Sequence, residues 1–324
     1  MTRKGNLALA IDLGGTNIRV AVVDRGGATL QRERERTLAH LGAEHAMARL
    51  TETASRLMRN TADGEIAGVG VSLGSPVDPD TGTMYNPPSL PGWDGFSPKE
   101  ALEESLRLPV RIANDATLGA VGEYAYGIGR GVENLVYVTV STGIGGGVIV
   151  EGVPILGMDG FAGELGHMSI DRNGALCNCG NIGCLEAIAS GTALANIAAE
   201  RLRQGEQSSM EAMADGNGIR AEAVMEAAAQ GDPLARELVE QFSQDLGSGL
   251  VNLMHIFNPQ MIVLGGGVSQ NLHLFFAPLV SAIKRRAMAH LKARVPVVAS
   301  VLGDDASLLG AAHLVFEGLT LEGE

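Results

Sequence analysis

Aromatic side chains, cysteine and positive charge are all scarce in this sequence: of 324 residues 4% are Phe, Tyr or Trp, three are Cys, and 24 Lys and Arg face 37 Asp and Glu. Each shortage excludes something. Three cysteines cannot pair evenly, and all lie between Cys177 and Cys184, so the chain is not a disulfide scaffold; the grouping suits a metal site in a reducing compartment. A net charge of −13 without a long Lys/Arg run argues against a surface that grips nucleic acid through its phosphates. Any anionic ligand must then be held locally. Long apolar runs are missing too. The longest stretch without Asp, Glu, Lys or Arg, Leu246 to Ile283, is cut by Asn252, His255, Asn258-Pro259, Gly265 to Gly267 and Ser269 to Asn271. The pieces fall below the roughly 20 residues that a bilayer-spanning helix needs. The basic N-terminus meets Asp12 after a few apolar residues, with no small-residue cleavage site before it, and reads as a first strand. The expected location is the cytoplasm.

Glycine is abundant instead: 44 residues, about twice the usual share of roughly 7%, without a collagen period. Leu7 to Leu13 and Ile18 to Val23 read as strands joined across Gly14-Gly15, and the same grammar recurs where Leu135 to Val140 runs into Ser141-Thr142-Gly143-Ile144-Gly145-Gly146-Gly147. Two such units about 130 residues apart point to two related halves. Between them lie a helix over Glu44 to Arg59, a strand over Gly68 to Leu73, and an irregular loop over Pro76 to Pro98 that holds six of the 12 prolines and Trp93. Val110 to Ala113 is a short strand, after which Asn114-Asp115-Ala116 opens a helix. A helical block covers Thr192 to Phe257, with Gly205 to Gly218 as a surface turn; the strand Met261 to Leu264 ends in Gly265-Gly266-Gly267, and a last helix begins near Ala306.

Three sites carry chemistry. In Asp12-Leu13-Gly14-Gly15-Thr16-Asn17 the paired glycines let backbone N–H groups close on a phosphate, Thr16 and Asn17 add donors, and Asp12 can reach a magnesium ion through water. The alternative is an ordinary hairpin turn. Asp115, at a strand-to-helix junction, can cap the helix or act as general base for a hydroxyl, and Asn114 beside it can orient the same substrate. Cys177, Cys179 and Cys184 lie within eight residues with glycines between them, and His167 stands ten residues upstream, a Cys3His set that suits a closed structural zinc. Glu164 and Glu186 flank the ligands; on a metal-ordered loop they become rigid acceptors for neighbouring hydroxyls, as on a sugar.

Taken in order, IDLGGTNIRVAVVD, IANDATLGAVGE, VTVSTGIGGGVIVEG, FAGELGHMSID and CNCGNIGCLEAIASG resemble the ROK family of sugar kinases and repressors, most closely its ATP-dependent glucokinases, across essentially the whole chain. The resemblance implies an α/β, actin-like (ribonuclease H-like) ATPase fold with two α/β domains around a cleft, often as a homodimer or homotetramer. The smaller domain is expected over residues 1–113, completed by a C-terminal helix at about 304–324, and the larger over 114–303 with the zinc-binding loop. By the same resemblance Asp115 is the catalytic base for the 6-hydroxyl of glucose, and Asn86, Asn114, Glu164, His167 and Glu186 are sugar contacts. His167 is also a zinc ligand with Cys177, Cys179 and Cys184. Asp12, Gly14, Gly15, Thr16 and Asn17 match one phosphate segment, Thr142 and Gly143 a second, and Gly265, Gly266 and Gly267 the nucleotide-side loop. The expected reaction is phosphorylation of glucose to glucose 6-phosphate by ATP with Mg2+, with domain closure excluding water and structural Zn2+ ordering the loop. Sugar and ATP are the expected partners, with neither nucleic acid nor membrane. A kinase for another hexose, such as fructose or N-acetylmannosamine, shares these motifs. A sugar-sensing repressor of the family is disfavoured, because such proteins carry an N-terminal helix-turn-helix and here the phosphate motif begins at Asp12.

Overall fold

The computed structural model of the chain describes residues 5–61, 66–87, 89–216 and 218–318. Pro88 of the proline-rich loop, the first four residues of the basic N-terminus and residues 319–324 of the expected C-terminal helix lie outside the described residues. In chain order the elements are β1 (Leu7–Leu13), β2 (Asn17–Asp24), β3 (Thr29–Arg36), α1 (Ala43–Arg59), β4 (Ile66–Leu73), α2 (Pro98–Leu106), β5 (Val110–Asn114) and α3 (Asp115–Tyr126). They continue with β6 (Leu135–Val140), β7 (Ile144–Val150), β8 (Val153–Pro154), α4 (Leu185–Ala189), α5 (Gly191–Arg203), α6 (Ala221–Gln230), α7 (Pro233–Phe257), β9 (Met261–Gly265), α8 (Leu272–Arg286), β10 (Val297–Ala299) and α9 (Ala306–Glu317). One five-stranded sheet has the order β3-β2-β1-β4-β5 and the other β8-β7-β6-β9-β10. Numbered within each half, both sheets run third, second, first, fourth, fifth, which is the repetition expected from the recurring strand-and-glycine pattern.

Two compact units result: the described residues of Met1–Glu133, Gly147–Gly163 and Ser300–Glu324, and a second from Asn134–Gly146 with Glu164–Ala299. In the first, the antiparallel hairpin of β1 and β2 sets Leu13 opposite Ile18 and Asp12 opposite Arg19. Because strand side chains alternate, the two faces of β1 are different in kind. Leu7, Leu9, Ile11 and Leu13 join Leu50, Leu57 and Trp93 in one core, whereas Ala8 and Ala10 meet Leu308, Ala312 and Leu118 in another. The alanine face lets α9 lie close to the sheet, and α9 packs equally closely on α3. A Cβ on Gly122 would stand 2.0 Å from the Ala306 carbonyl oxygen, and one on Gly310 would stand 1.9 Å from that of Leu118. That contact keeps α3, with Asp115 at its first turn, in the unit that holds β1. The resemblance implies a smaller domain over residues 1–113 with a C-terminal helix, and the first compact unit holds β1 to α3 together with α9.

β3, α2 and α8 escape the sequence patterns. β3 reads TLQRERER, an edge strand of alternating charge with no apolar face, and such charge protects an open edge from mispairing. α8 carries Pro278 inside it and follows a glycine loop, so it reads as a continuation of that loop. Among the described residues no helix is long and apolar enough to cross a membrane.

The longest helix, α7, starts at Pro233 behind the cap Asp232, whose Oδ1 accepts from Ala235 N at 2.9 Å and whose Oδ2 accepts from Ser209 N at 2.8 Å. Burial works to raise the Asp232 pKa, but these donors and the Ser208 and Ser209 hydroxyls outweigh it and hold the carboxyl at about 2. A folded pKa below the unfolded value of about 3.9 stabilises the fold above that pH and is lost as pH falls towards 2. Asp232→Ala should therefore cost about 1–2 kcal/mol in urea unfolding at pH 7, with the deficit shrinking between pH 4 and about 2.

Candidate active site

The first glycine turn is closed by its own backbone and tied from outside. Gly14 N–H donates to the Asn17 carbonyl at 3.1 Å, and Thr37 N–H donates to that of Thr16 at 2.9 Å. The Thr37 hydroxyl donates to the Gly14 carbonyl at 2.5 Å. Gly15 admits no side chain, since a Cβ there would meet the Ser89 carbonyl oxygen at 2.5 Å. Among the described residues no acceptor meets the N–H of Gly15 or Thr16. Those two amides are therefore available to an anion.

Asp12 is more heavily engaged than its motif indicates. Its Oδ2 accepts from Arg19 Nε at 3.0 Å and Nη2 at 2.8 Å, and its Oδ1 accepts from Ser72 at 2.8 Å and Ser307 at 3.3 Å. The even register of β1 explains the set, because Asp12 shares the face of Ala8 and Ala10 over α9. Arg19 is a site residue that the sequence pattern passed over; its position opposite Asp12 across the hairpin was the available signal.

At the β5–α3 junction two favoured caps stand side by side, and the geometry decides between them. Asn114 has extended backbone, and its Oδ1 accepts from Ala116 N at 2.9 Å and Thr117 N at 3.3 Å. Asn114 is the cap. Asp115 is thereby the first helical residue, half-buried, with Oδ2 beside Gly74 at the end of β4. Asn86 is exposed on the proline-rich loop with φ 42°, a left-handed conformation that asparagine tolerates, and its N–H donates to Asp94 Oδ1 at 2.7 Å.

In the second unit the Cys3His set comes together. Cys177 Sγ lies 3.5 Å from His167 Nδ1, Cys179 Sγ lies 3.7 Å from Cys184 Sγ, and all four donor atoms fall within 4.8 Å of one another. A tetrahedral zinc with bonds of about 2.3 Å to sulfur and about 2.0 Å to nitrogen sets its ligands about 3.5–3.8 Å apart, so these donors fit it. Burial pushes the Cys184 thiol up to about 12 and raises Cys177 as well, so these two would become thiolates only against a bound cation. The other His167 nitrogen, Nε2, stands 3.7 Å from Glu164 Oε2. Burial raises the Glu164 pKa, His167 draws it down, and Glu186 pushes it up again.

Glu186 links the cysteine loop to the second glycine turn. Cys184 is the residue before α4, Glu186 is the second residue of that helix, and its Oε2 accepts from Ile144 N at 2.8 Å. A Cβ on Gly143 would stand 2.3 Å from the same oxygen, so the approach depends on glycine. Gly191 N–H donates to the Ser141 carbonyl at 2.8 Å and Thr192 N–H to that of Thr142 at 3.2 Å, which fastens the turn to the start of α5. At the end of β9, Ser269 Oγ donates to the Gly265 carbonyl at 2.5 Å, while Gly266 takes φ 85° against the end of β6.

The description "ROK family" belongs to the family model that matches residues 8–317. The chain belongs to the ROK family. It is 35% identical over 313 residues to a glucokinase of Thermotoga maritima, covering 95% of this chain and 97% of that one. It is also similar to the crystal structure of a ROK family glucokinase from Streptomyces griseus in complex with glucose and AMPPNP, with a TM-score of 0.82, 32% identity, and coverage of 95% of this chain and 98% of that one. The ROK hexokinase from Thermus thermophilus matches with a TM-score of 0.81 and 34% identity over 94% of this chain and 96% of that one. The two mixed α/β sheets and their helices are the actin-like two-domain fold of these ROK neighbours.

Within this ROK chain Cys179 is the exposed member of the cluster, so replacing it leaves the core alone. Cys179→Ser should weaken zinc retention by at least about tenfold, the scale that even an outer-shell loss produces, and lower the melting temperature. Metal analysis after dialysis, with a thermal melt, checks both.

Proposed function

We propose that this protein transfers the γ-phosphoryl group of ATP to the 6-hydroxyl of glucose, giving glucose 6-phosphate and ADP. The observation that carries the reading is Asp115: a carboxylate at the first turn of α3 that the helix does not need as its cap, because Asn114 fills that place. Kinship with glucokinases over nearly the whole chain supports the substrate pair. Asp115 accepts the proton of the sugar hydroxyl as the oxygen attacks the γ-phosphorus in line and the bond to the ADP oxygen breaks.

Asn86, Asn114, Glu164, His167 and Glu186 hold the sugar hydroxyls in this reading. His167 serves twice, with Nδ1 towards the zinc set and Nε2 on the Glu164 side. Glu186 has one carboxylate oxygen engaged by Ile144 N–H and offers the other to the sugar. Gly15 and Thr16 offer their backbone N–H groups to the nucleotide, Gly14 and Asn17 close that turn, and Thr142 and Gly143, then Gly265 to Gly267, line its other phosphate contacts in this reading. Magnesium bound with the nucleotide would neutralise phosphate charge, and Asp12, whose carboxylate Arg19 already holds, is the residue that would hold it. His167, Cys177, Cys179 and Cys184 would hold zinc, which would keep the loop that carries Glu186 in place. The protein is proposed to act in the cytoplasm as a homodimer or homotetramer.

A coupled assay across hexoses, with ATP and polyphosphate as donors, should give the highest kcat/KM for glucose with ATP. Asp115→Ala should lower kcat by about 10²- to 10⁴-fold while zinc content and melting temperature stay at the parent values. Activity near wild type in that variant removes Asp115 from the mechanism.

A further inference from the structure

Thr37 is a fully buried polar residue between an exposed, charged strand and Leu38, whose φ is 54°. Both of its donors go to one place. Its N–H meets the Thr16 carbonyl at 2.9 Å and its hydroxyl meets the Gly14 carbonyl at 2.5 Å. The ladder between β2 and β3 already sets Asn17 on Arg36 and Ile18 on Glu35, so strand register does not require the hydroxyl bond. Its effect falls on the peptide between Gly14 and Gly15.

A trans peptide is planar, and its C=O and N–H point in opposite directions. Drawing the Gly14 carbonyl towards Thr37 therefore turns the Gly15 N–H to the other side. The control matters because glycines flank this peptide, and their backbone rotates through conformations that other residues avoid. A flipped peptide would present a carbonyl oxygen where the N–H now points, and an oxygen dipole repels an anion. Ser89 closes in on the Gly15 α-carbon, so the turn is confined from the proline-rich loop as well.

We infer that Thr37 is a positioning residue for the phosphoryl donor: its hydroxyl fixes the Gly14–Gly15 peptide with the N–H presented to phosphate. The inference rests on the reading of this turn as an ATP phosphate site. A tie that served only to end β3 would affect stability and leave nucleotide affinity alone.

Thr37→Val keeps the shape and removes the donor; Thr37→Ser keeps the donor. Thr37→Val should raise KM for ATP and the Kd for AMPPNP, measured by calorimetry, about five- to tenfold, with kcat and KM for glucose within about twofold of the parent. Thr37→Ser should stay within about twofold in every constant. A Thr37→Val protein that melts lower but binds AMPPNP as the parent does overturns the inference, and so does a Thr37→Ser protein as impaired as Thr37→Val. If Thr37→Val does not fold, Thr37→Cys, with its weaker donor, carries the same comparison. Gly15→Ala separates the two layers, because its Cβ would collide with Ser89 whatever Thr37 does. Unchanged AMPPNP binding in Gly15→Ala removes the phosphate reading of the turn itself. Weakened binding there with parent-like binding in Thr37→Val removes the role of Thr37 alone.

Discussion

The Thr37 hydroxyl, the Glu186 carboxylate and the Ser269 hydroxyl do the same thing to three glycine turns: each takes one backbone group of the turn and fixes its direction from outside. The need for such ties follows from charge. A chain of net charge −13 without a basic run has little chance of holding phosphates with lysine and arginine, so backbone N–H groups are the remaining donors. Glycine lets those groups come close, but it also leaves their orientation loose. Donors that must reorient on binding cost affinity, whereas fixed ones act at once. The glycine surplus and the polar side chains that tie it are two parts of one solution.

The same logic joins the Cys3His set to the second glycine turn. Cys184 precedes α4, Glu186 lies one residue into it, and the Glu186 carboxylate holds the N–H of Ile144 at the end of the second turn. Order imposed on the cysteine loop thus reaches the turn through one short helix and one hydrogen bond. In the proposed reaction zinc held there would be structural in the strict sense: it would touch no reacting atom, yet the Glu186 carboxylate and the second glycine turn would share the support that it stabilises.

Local pattern revealed much of this. The β1–β2 hairpin, α1, α3 and α9 follow from apolar periodicity and glycine placement, and the Cys3His set follows from spacing, because each is settled within about twenty residues. β3 and α8 were illegible for opposite reasons, one lacking any apolar stripe and the other hidden in an apolar stretch interrupted by Pro278. From the sequence Asp115 could cap the helix or serve as a base, and Asn114 was not read as the cap; the distances from Asn114 Oδ1 to Ala116 N and Thr117 N put Asn114 in that place. Arg19, Thr37 and Ser269 were missed because their roles lie in the acceptor that each one meets. Nothing in the residue types Arg, Thr or Ser marks them for it.

Hydrogen–deuterium exchange on the zinc-loaded protein, with and without AMPPNP, tests the central claim most directly. If the tethered glycine turns hold the nucleotide phosphates, exchange slows on binding in peptides that cover residues 13–17, 141–145 and 264–269. Saturating AMPPNP binding that leaves exchange in all three segments unchanged would contradict the account.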